Sequence, residues 1–318
     1  MARSDFVHLH THTEYSMLDG AASNERLFAE VARQGMPAVA MTDHGNMFGA
    51  YEFFQIAKKY DGNENPLVKP IIGIEAYVAP SSRHSRKQEF WGRRRGDGGD
   101  PDVEGGKDVS GGGRYTHMTM WAKNPTGLHN LFTLSSLASY EGYYMKPRMD
   151  REIISQYNEG VIASTGCPSG EVQTRLRLGQ FDEAVETAGA YQEIFGKDHY
   201  FCELMDHGVP IERQVRSDLL RLAKKIDAPL LLTNDSHYVN EDDADAHDSL
   251  LCVGVGRNKD DPNRFRFNGS GYYIKSSDEM RSLFPDMPEA ADNTLALTEM
   301  IESYDDVFAH VDLSLIHI

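Results

Sequence analysis

Cysteine is scarce: Cys167, Cys202 and Cys252 are the three in 318 residues, far apart and without a Cys-x-x-Cys pair. An odd, scattered set makes no disulfide framework and points to a reducing compartment, so a cytoplasmic location is expected. Positive charge is also short, with 32 Lys and Arg against 49 Asp and Glu and a formal net charge of −17. Such a balance argues against broad nonspecific nucleic-acid binding, which relies on Lys and Arg neutralising phosphates. It leaves room for a local basic groove, and bound cations would offset clustered carboxylates. No apolar run approaches the roughly 20 residues of a membrane span, and Met1–Asp5 lacks the apolar stretch of a signal peptide. No membrane contact is expected. A Gly-x-x-x-x-Gly-Lys-[Ser/Thr] loop is missing, as is Gly-x-Gly-x-x-Gly after the first strand-like run, so neither ATP nor a dinucleotide is implied. Ser169 lies in Gly166-Cys-Pro-Ser-Gly170 rather than in a Gly-x-Ser-x-Gly elbow, which speaks against a serine hydrolase.

What is present is a regular alternation. Strands are expected at Phe6–His10, Ala38–Met41, Ile71–Val78, Thr116–Ala122, Gly160–Ser164, Tyr200–Leu204 and Leu230–Thr233. Helices are expected at Asn24–Gln34, Phe48–Tyr60, Thr126–Ala138, Asp182–Phe195 and Ile211–Ile226, with Gly35 as a cap and Asn124-Pro125 as a start signal. Seven strand-helix units in a row imply parallel strands in a closed or nearly closed α/β barrel, TIM-like with one unit fewer than eight. Residues 1–284 make this domain. The Gly-, Arg- and Asp-rich stretch 81–114 reads as a long mobile loop inserted in it. Beyond the last strand, Phe265–Phe267 and Tyr272–Lys275 resemble a hairpin, and Ser277–Phe284 and Glu289–Tyr304 resemble helices. Residues 285–318 read as the start of a connection to further domains, with an apolar, uncapped close at 314–318 that suggests a foreign tail.

The chemistry gathers where strands end, which is where such barrels carry active sites. His10, His12 and Asp19 follow the first strand and His44 the second. Glu75 and His117 lie within the third and fourth, somewhat earlier than the rule prefers. Cys167 follows the fifth, and Asp235 and His237 the seventh. His10-x-His12 puts two imidazoles on one side of an extended chain, and closure would set Asp235-x-His237 beside it. These nine groups suit two or three divalent ions, with zinc, manganese and iron all compatible with the donor set. A lone cysteine such as Cys167 is commonly a small buried apolar residue. Glu203 is a candidate acceptor behind a ligand, and Asp43 a residue that orients a ligand or the loop.

Several stretches carry a resemblance. They are Phe6-Val-His-Leu-His-Thr-His12, Tyr15-Ser-Met-Leu-Asp-Gly20, Met41-Thr-Asp-His-Gly-Asn46, Lys69-Pro-Ile-Ile-Gly-Ile-Glu-Ala-Tyr77, Lys146-Pro-Arg-Met-Asp150, Thr165-Gly-Cys-Pro-Ser-Gly170 and Thr233-Asn-Asp-Ser-His-Tyr238. Together they resemble the PHP (polymerase and histidinol phosphatase) domains that open the alpha subunits of bacterial C-family replicative polymerases. The resemblance reaches to about Tyr304. It implies a distorted seven-unit barrel with a trinuclear metal centre, whose positions fall on the same nine residues. Family members with an intact set resemble 3′–5′ exonucleases that proofread the polymerase's product; members that have lost ligands resemble structural platforms. This chain keeps the set.

The expectation is therefore metal-assisted phosphodiester hydrolysis at a frayed, single-stranded DNA 3′ end, with Asp19, Asp235 and His12 as catalytic members. Clustered cations would activate a water, position the phosphate and stabilise charge on the attacking and leaving oxygens. Arg148 is the candidate phosphate contact, and Tyr15 or Tyr143 could stack on a base. Expected partners are DNA, the remaining polymerase domains and, through the full-length protein, replisome components such as the sliding clamp. The alternatives are a metal-stabilised docking domain without activity of its own, or a small-molecule phosphoesterase. The polymerase palm would lie beyond residue 318.

Overall fold

A computed structural model describes residues 4–92 and 110–309. Arg93–Arg95 and the rest of 93–109, the centre of the expected mobile loop, lie outside the described residues, as do the expected foreign tail 314–318 and its neighbours from 310.

Among the described residues seven strands form one sheet: β1 (Ala38–Met41), β2 (Lys69–Val78), β3 (Thr116–Ala122), β4 (Arg148–Met149), β5 (Val161–Ser164), β6 (Tyr200–Leu204) and β7 (Leu230–Leu232). Their order is β1-β2-β3-β5-β6-β7, with β4 attached to β2. β1, β5 and β6 are buried at every position, as strands covered on both faces must be. Helices Asn24–Arg33, Ala50–Ala57, Pro125–Tyr140, Phe181–Phe195 and Pro210–Ile226 run between the strands. Asn24–Arg33 turns Leu27, Phe28, Val31 and Ala32 inward, the spacing of one helical face. Asn124 caps the helix that Pro125 opens, accepting from the Gly127 N–H.

The expected first strand makes no ladder. Phe6–His10 and its continuation are shared between two neighbours instead, through bridges His8 to Val39 and Thr11 to Ser236. The His12 amide donates to the Ser236 carbonyl at 2.7 Å, and the Ser236 amide to the His10 carbonyl at 3.1 Å. This segment thus closes the curled sheet between β1 and the end of β7, giving a distorted TIM-like barrel.

The expectation of parallel strands throughout fails at β3, which is antiparallel to both β2 and β5. A parallel return needs a crossover to the opposite end of the sheet. Here the chain leaves β2 at Val78 and re-enters at Thr116, its direct partner, so no crossover occurs. The expected hairpin is also absent. Tyr272 and Ile274 bond instead to the backbone of 237–239, and Phe267 and Tyr272 pack as rings 4.6 Å apart.

The far end of the barrel is covered by helix Pro288–Met300. Thr294 accepts the Val7 amide at 3.2 Å, Asn293 donates to the Leu230 carbonyl at 2.8 Å, and Lys69 Nζ reaches the Thr298 carbonyl at 3.0 Å. Buried Tyr304 donates to the Ala122 carbonyl at 2.5 Å. All four contacts lie at the end of the sheet opposite the histidines.

Candidate metal centre

Two strands present their residues in ways the sequence rule does not foresee. β2 outruns β1: their pairing ends at Met41–Ile72, and His44 then bridges Glu75. Glu75 is therefore mid-strand in sequence yet level with the loop after β1. His117 pairs with Tyr77 at the start of β3, and because β3 is reversed its start lies at the mouth.

The structure brings all nine expected residues together. His10 Nε2 and His12 Nε2 are 3.2 Å apart, and Asp235 Oδ1 lies 3.3 Å and 3.1 Å from them. Glu75 stands between groups: Oε1 is 3.4 Å from His10 Nε2 and 3.0 Å from His117 Nδ1, and Oε2 is 2.6 Å from His44 Nδ1. Asp19 Oδ2 lies 2.8 Å from His44 Nε2 and 3.8 Å from His237 Nε2. Cys167 Sγ is 3.2 Å from Glu75 Oε1 and 3.7 Å from His117 Nδ1. Three overlapping groups have ligand atoms within 4.8 Å of one another: His12, His44 and His237; His10, His12 and Glu75; His44, Glu75 and His117.

A layer of polar residues fixes which ring nitrogens face inward. Glu203 Oε1 accepts from His10 Nδ1 at 2.5 Å and is itself held by Thr233 at 2.7 Å, while its other oxygen accepts from Thr119 and Ser164. His12 Nδ1 donates to Ser16 Oγ at 2.9 Å, and that hydroxyl donates to Asp43 at 2.8 Å. His237 Nδ1 donates to the Asp235 carbonyl at 2.7 Å. With Nδ1 carrying the proton in all three, each Nε2 presents a lone pair to the centre. Ser16, Thr119, Ser164 and Thr233 escape a sequence reading, since a lone hydroxyl carries no spacing signal. Glu203 and Asp43 sit where their expected supporting roles would put them.

The donor set fits divalent cations. Buried Asp19 Oδ1, Glu75 Oε2, Asp235 Oδ1, His44 Nδ1 and His237 Nε2 have no hydrogen-bond partner; His44 Nδ1 and Glu75 Oε2 are close without hydrogen-bond geometry. Buried polar atoms are seldom left this way, and five in one place need an explanation. The electrostatics agree. Burial opposes a charged His44, but Glu75 and Asp19 outweigh it and raise the ring to about 10. Burial, with His44 and His237 alongside, drops His12 to about 3. Burial works against ionised Asp235 too, yet His10 and His237 hold it well below the usual carboxylate range. The carboxylates thus demand positive charge, which His44 and His10 supply and which metal ions would supply in their place. Asp235 also adopts a left-handed backbone, φ +44°, a conformation Asp tolerates better than most residues.

Arg148 does not face this centre. Its guanidinium is buried and donates to the carbonyls of Gly142, Arg114, Arg83 and Ser85 at 2.6–3.0 Å. The expected phosphate contact is instead a clamp on the chain flanking residues 93–109. Its neighbour Lys146 is exposed, with Nζ 5.3 Å from the centroid of the Tyr77 ring, and Tyr77 stacks against His44. Tyr15 donates to Glu52 at 2.8 Å, and Tyr143 is exposed.

The profile of the PHP domain matches residues 8–207. The chain belongs to the PHP-domain family. It is 60% identical over 308 residues to the DNA polymerase III subunit alpha of Saccharopolyspora erythraea, covering 96% of this chain and 25% of that one. It is 55% identical to the same subunit from Mycobacterium tuberculosis, over 98% of this chain and 25% of that one. The Thermus aquaticus subunit is 40% identical over 93% and 23%. The chain thus spans about a quarter of the length of these relatives. Among solved structures it is similar to histidinol phosphate phosphatase from Lactococcus lactis complexed with zinc, L-histidinol and phosphate, at 15% identity and TM-score 0.39 over 80% of this chain and 95% of that one. An amidohydrolase from Chromobacterium violaceum is 13% identical, with TM-score 0.43 over 74% and 89%. Among the described residues no helix is long and apolar enough to cross a membrane.

Proposed function

We propose that this PHP domain is a metal-dependent 3′–5′ exonuclease, the proofreading part of a replicative DNA polymerase III alpha subunit. The observation that carries it is the convergence of nine ligand-capable side chains, five of which turn a buried atom without a hydrogen-bond partner toward the centre. A domain that bound no metal would have no use for five orphaned buried atoms, each of which costs stability when left unpaired.

His10, His12, Asp19, His44, Glu75, His117, Cys167, Asp235 and His237 would hold two or three ions of zinc, manganese or iron. Such ions supply an activated water and neutralise charge on phosphoryl oxygens during hydrolysis. The chain's own part is orientation. Glu203 and Ser16 hold the His10 and His12 rings, and the Asp235 carbonyl holds His237. Glu75 ties His10, His44 and His117 into one unit. Substrate is a frayed DNA 3′ end, delivered by the remaining polymerase domains, with the sliding clamp as a partner of the whole protein in the cytoplasm.

The test is hydrolysis of mispaired primer-template DNA with Mn²⁺ or Zn²⁺ beside an Asp235→Asn variant. Release of deoxynucleoside monophosphates by the parent and not by the variant is expected. Equal degradation by both would trace the activity to a contaminant. No degradation by either would turn the reading toward a metal-stabilised docking domain, and turnover of a phosphate monoester alone would turn it toward a small-molecule phosphoesterase.

A further inference from the structure

Five rings run in a row through the centre. Tyr77 and His44 are 5.9 Å apart between centroids, His44 and His12 4.1 Å, His12 and His237 4.3 Å, and His237 and Phe267 4.7 Å. Lys146 stands over the first ring. Beyond the last is a cavity of about 360 Å³ whose walls include Tyr238, His247, Asp248, Arg264, Arg266 and Phe267. Phe267 and His247, 5.0 Å apart and both against His237, form the wall it shares with the centre. Its volume lies in the range of small-ligand sites, roughly 300–1,000 Å³.

The charges around this cavity are paired, with one exception. Asp248 holds Arg264 through two bonds of 2.6 Å, and Asp245 holds Lys259 at 2.6 Å. Arg257 lies 3.4 Å from Asp261. Arg266 has no carboxylate within ion-pair distance among the described residues, and its hydrogen bond is a long one, 3.4 Å, to the Pro262 carbonyl. Its backbone neighbour Phe267 touches His237. A forked guanidinium suits phosphate oxygens better than any neutral group. Lys146 likewise lacks a carboxylate partner among the described residues, so a polyanion crossing the ring row meets a free cation at either end.

We propose that the cavity is a nucleotide subsite. It takes one deoxynucleotide of the strand whose neighbouring phosphodiester lies at the centre, with Arg266 on the phosphate and the half-buried Phe267 ring against the base. The proposal rests on the exonuclease reading for its substrate class, and its test does not need turnover.

The test uses calorimetry on the 318-residue chain stripped of metal, with deoxyadenosine monophosphate and inorganic phosphate as probes. Stripping removes phosphate capture by ions, so binding reports the side chains. The nucleotide should bind more tightly than phosphate, and Arg266→Gln should weaken it about tenfold at an unchanged melting temperature. Lys146→Gln should leave nucleotide affinity unaltered and weaken a single-stranded oligonucleotide. Equal nucleotide affinity for parent and Arg266→Gln overturns the subsite, as does an equal loss in both variants, which would mark a general charge effect. Nucleotide binding through Arg266 in a chain that, metal-loaded, cleaves no DNA would sink the exonuclease reading and spare the subsite. DNA cleavage with an Arg266→Gln variant unchanged in KM and nucleotide affinity would do the reverse.

Discussion

Glu203 Oε1 lies 2.5 Å from His10 Nδ1, with neither side chain reaching solvent. The pair decides which nitrogen His10 turns inward. Three hydroxyls, from Thr119, Ser164 and Thr233, occupy the remaining capacity of that carboxylate. Glu203→Gln replaces an acceptor oxygen by a donor amide in a cluster already full of donors. Metal affinity should fall about 10- to 100-fold, the usual effect of removing a group that supports a ligand. Metal titration with a competing chelator measures it. Unchanged affinity in a folded variant would show that the pair only packs.

Removing metal should lower stability. Ions bound by the native state alone stabilise it by about 2.7 kcal/mol at a hundredfold excess over Kd. For a chain of this size that is a loss of roughly 4 °C in melting temperature on stripping with a chelator. Differential scanning calorimetry with and without re-added Zn²⁺ or Mn²⁺ checks it. Identical melting temperatures in both states would leave the orphaned atoms unexplained and the metal reading unsupported.

Arg148 should matter for folding and not for substrate. Truncation to alanine removes the donor from the buried Gly142 carbonyl and from the part-buried carbonyls of Arg114, Arg83 and Ser85. A cost of about 3 kcal/mol is expected, in line with unmade hydrogen bonds to a charged group. Urea unfolding gives the number. A variant as stable as the parent but with a raised KM for DNA would restore the phosphate role expected from sequence.

Much of this was legible from side chains alone. β1, β3 and β6 fall where apolar runs put them, and the nine candidate ligands lie together, because strand ends collect side chains whatever the loops between them do. The direction of β3 was not legible. A period of two reads the same forwards and backwards, so Thr116–Ala122 gives no sign that it runs against its neighbours. The closing segment Phe6–His10 has strand composition, but its hydrogen bonds are divided between two partners and no ladder forms. Arg148 follows an exposed Lys and a Pro, and nothing local shows that four distant carbonyls converge on it.

Lys275, which is not itself a candidate ligand, provides a pH test. Burial outweighs the nearby Glu279 and brings its ammonium down to about 8 from its usual 10.5; Nζ bonds Asn234 Oδ1 at 2.7 Å. Below pH 8 both folded and unfolded chains carry the proton, and the burial penalty is fully present. Between about 8 and 10.5 this group binds more protons in the unfolded chain than in the folded one, so its contribution to stability rises with pH in that window. His44, raised to about 10, pulls stability down over much of the same range in both chains, so the difference is what counts: on denaturant unfolding the parent should rise more with pH, or fall less, than Lys275→Gln. Parallel curves for the two would remove Lys275 as the cause.

The pairing of Val78 with Thr116 has an evolutionary consequence. Chain added between these residues starts and finishes at adjacent points on the rim, so it never has to traverse the barrel. Each doubling of such a segment costs only about 0.6 kcal/mol in closure entropy. Insertions and deletions there cost the scaffold little, while the segment leaves from and returns to the rim beside His117. Selection can therefore remodel what approaches the centre by changing length alone, without renegotiating a single strand.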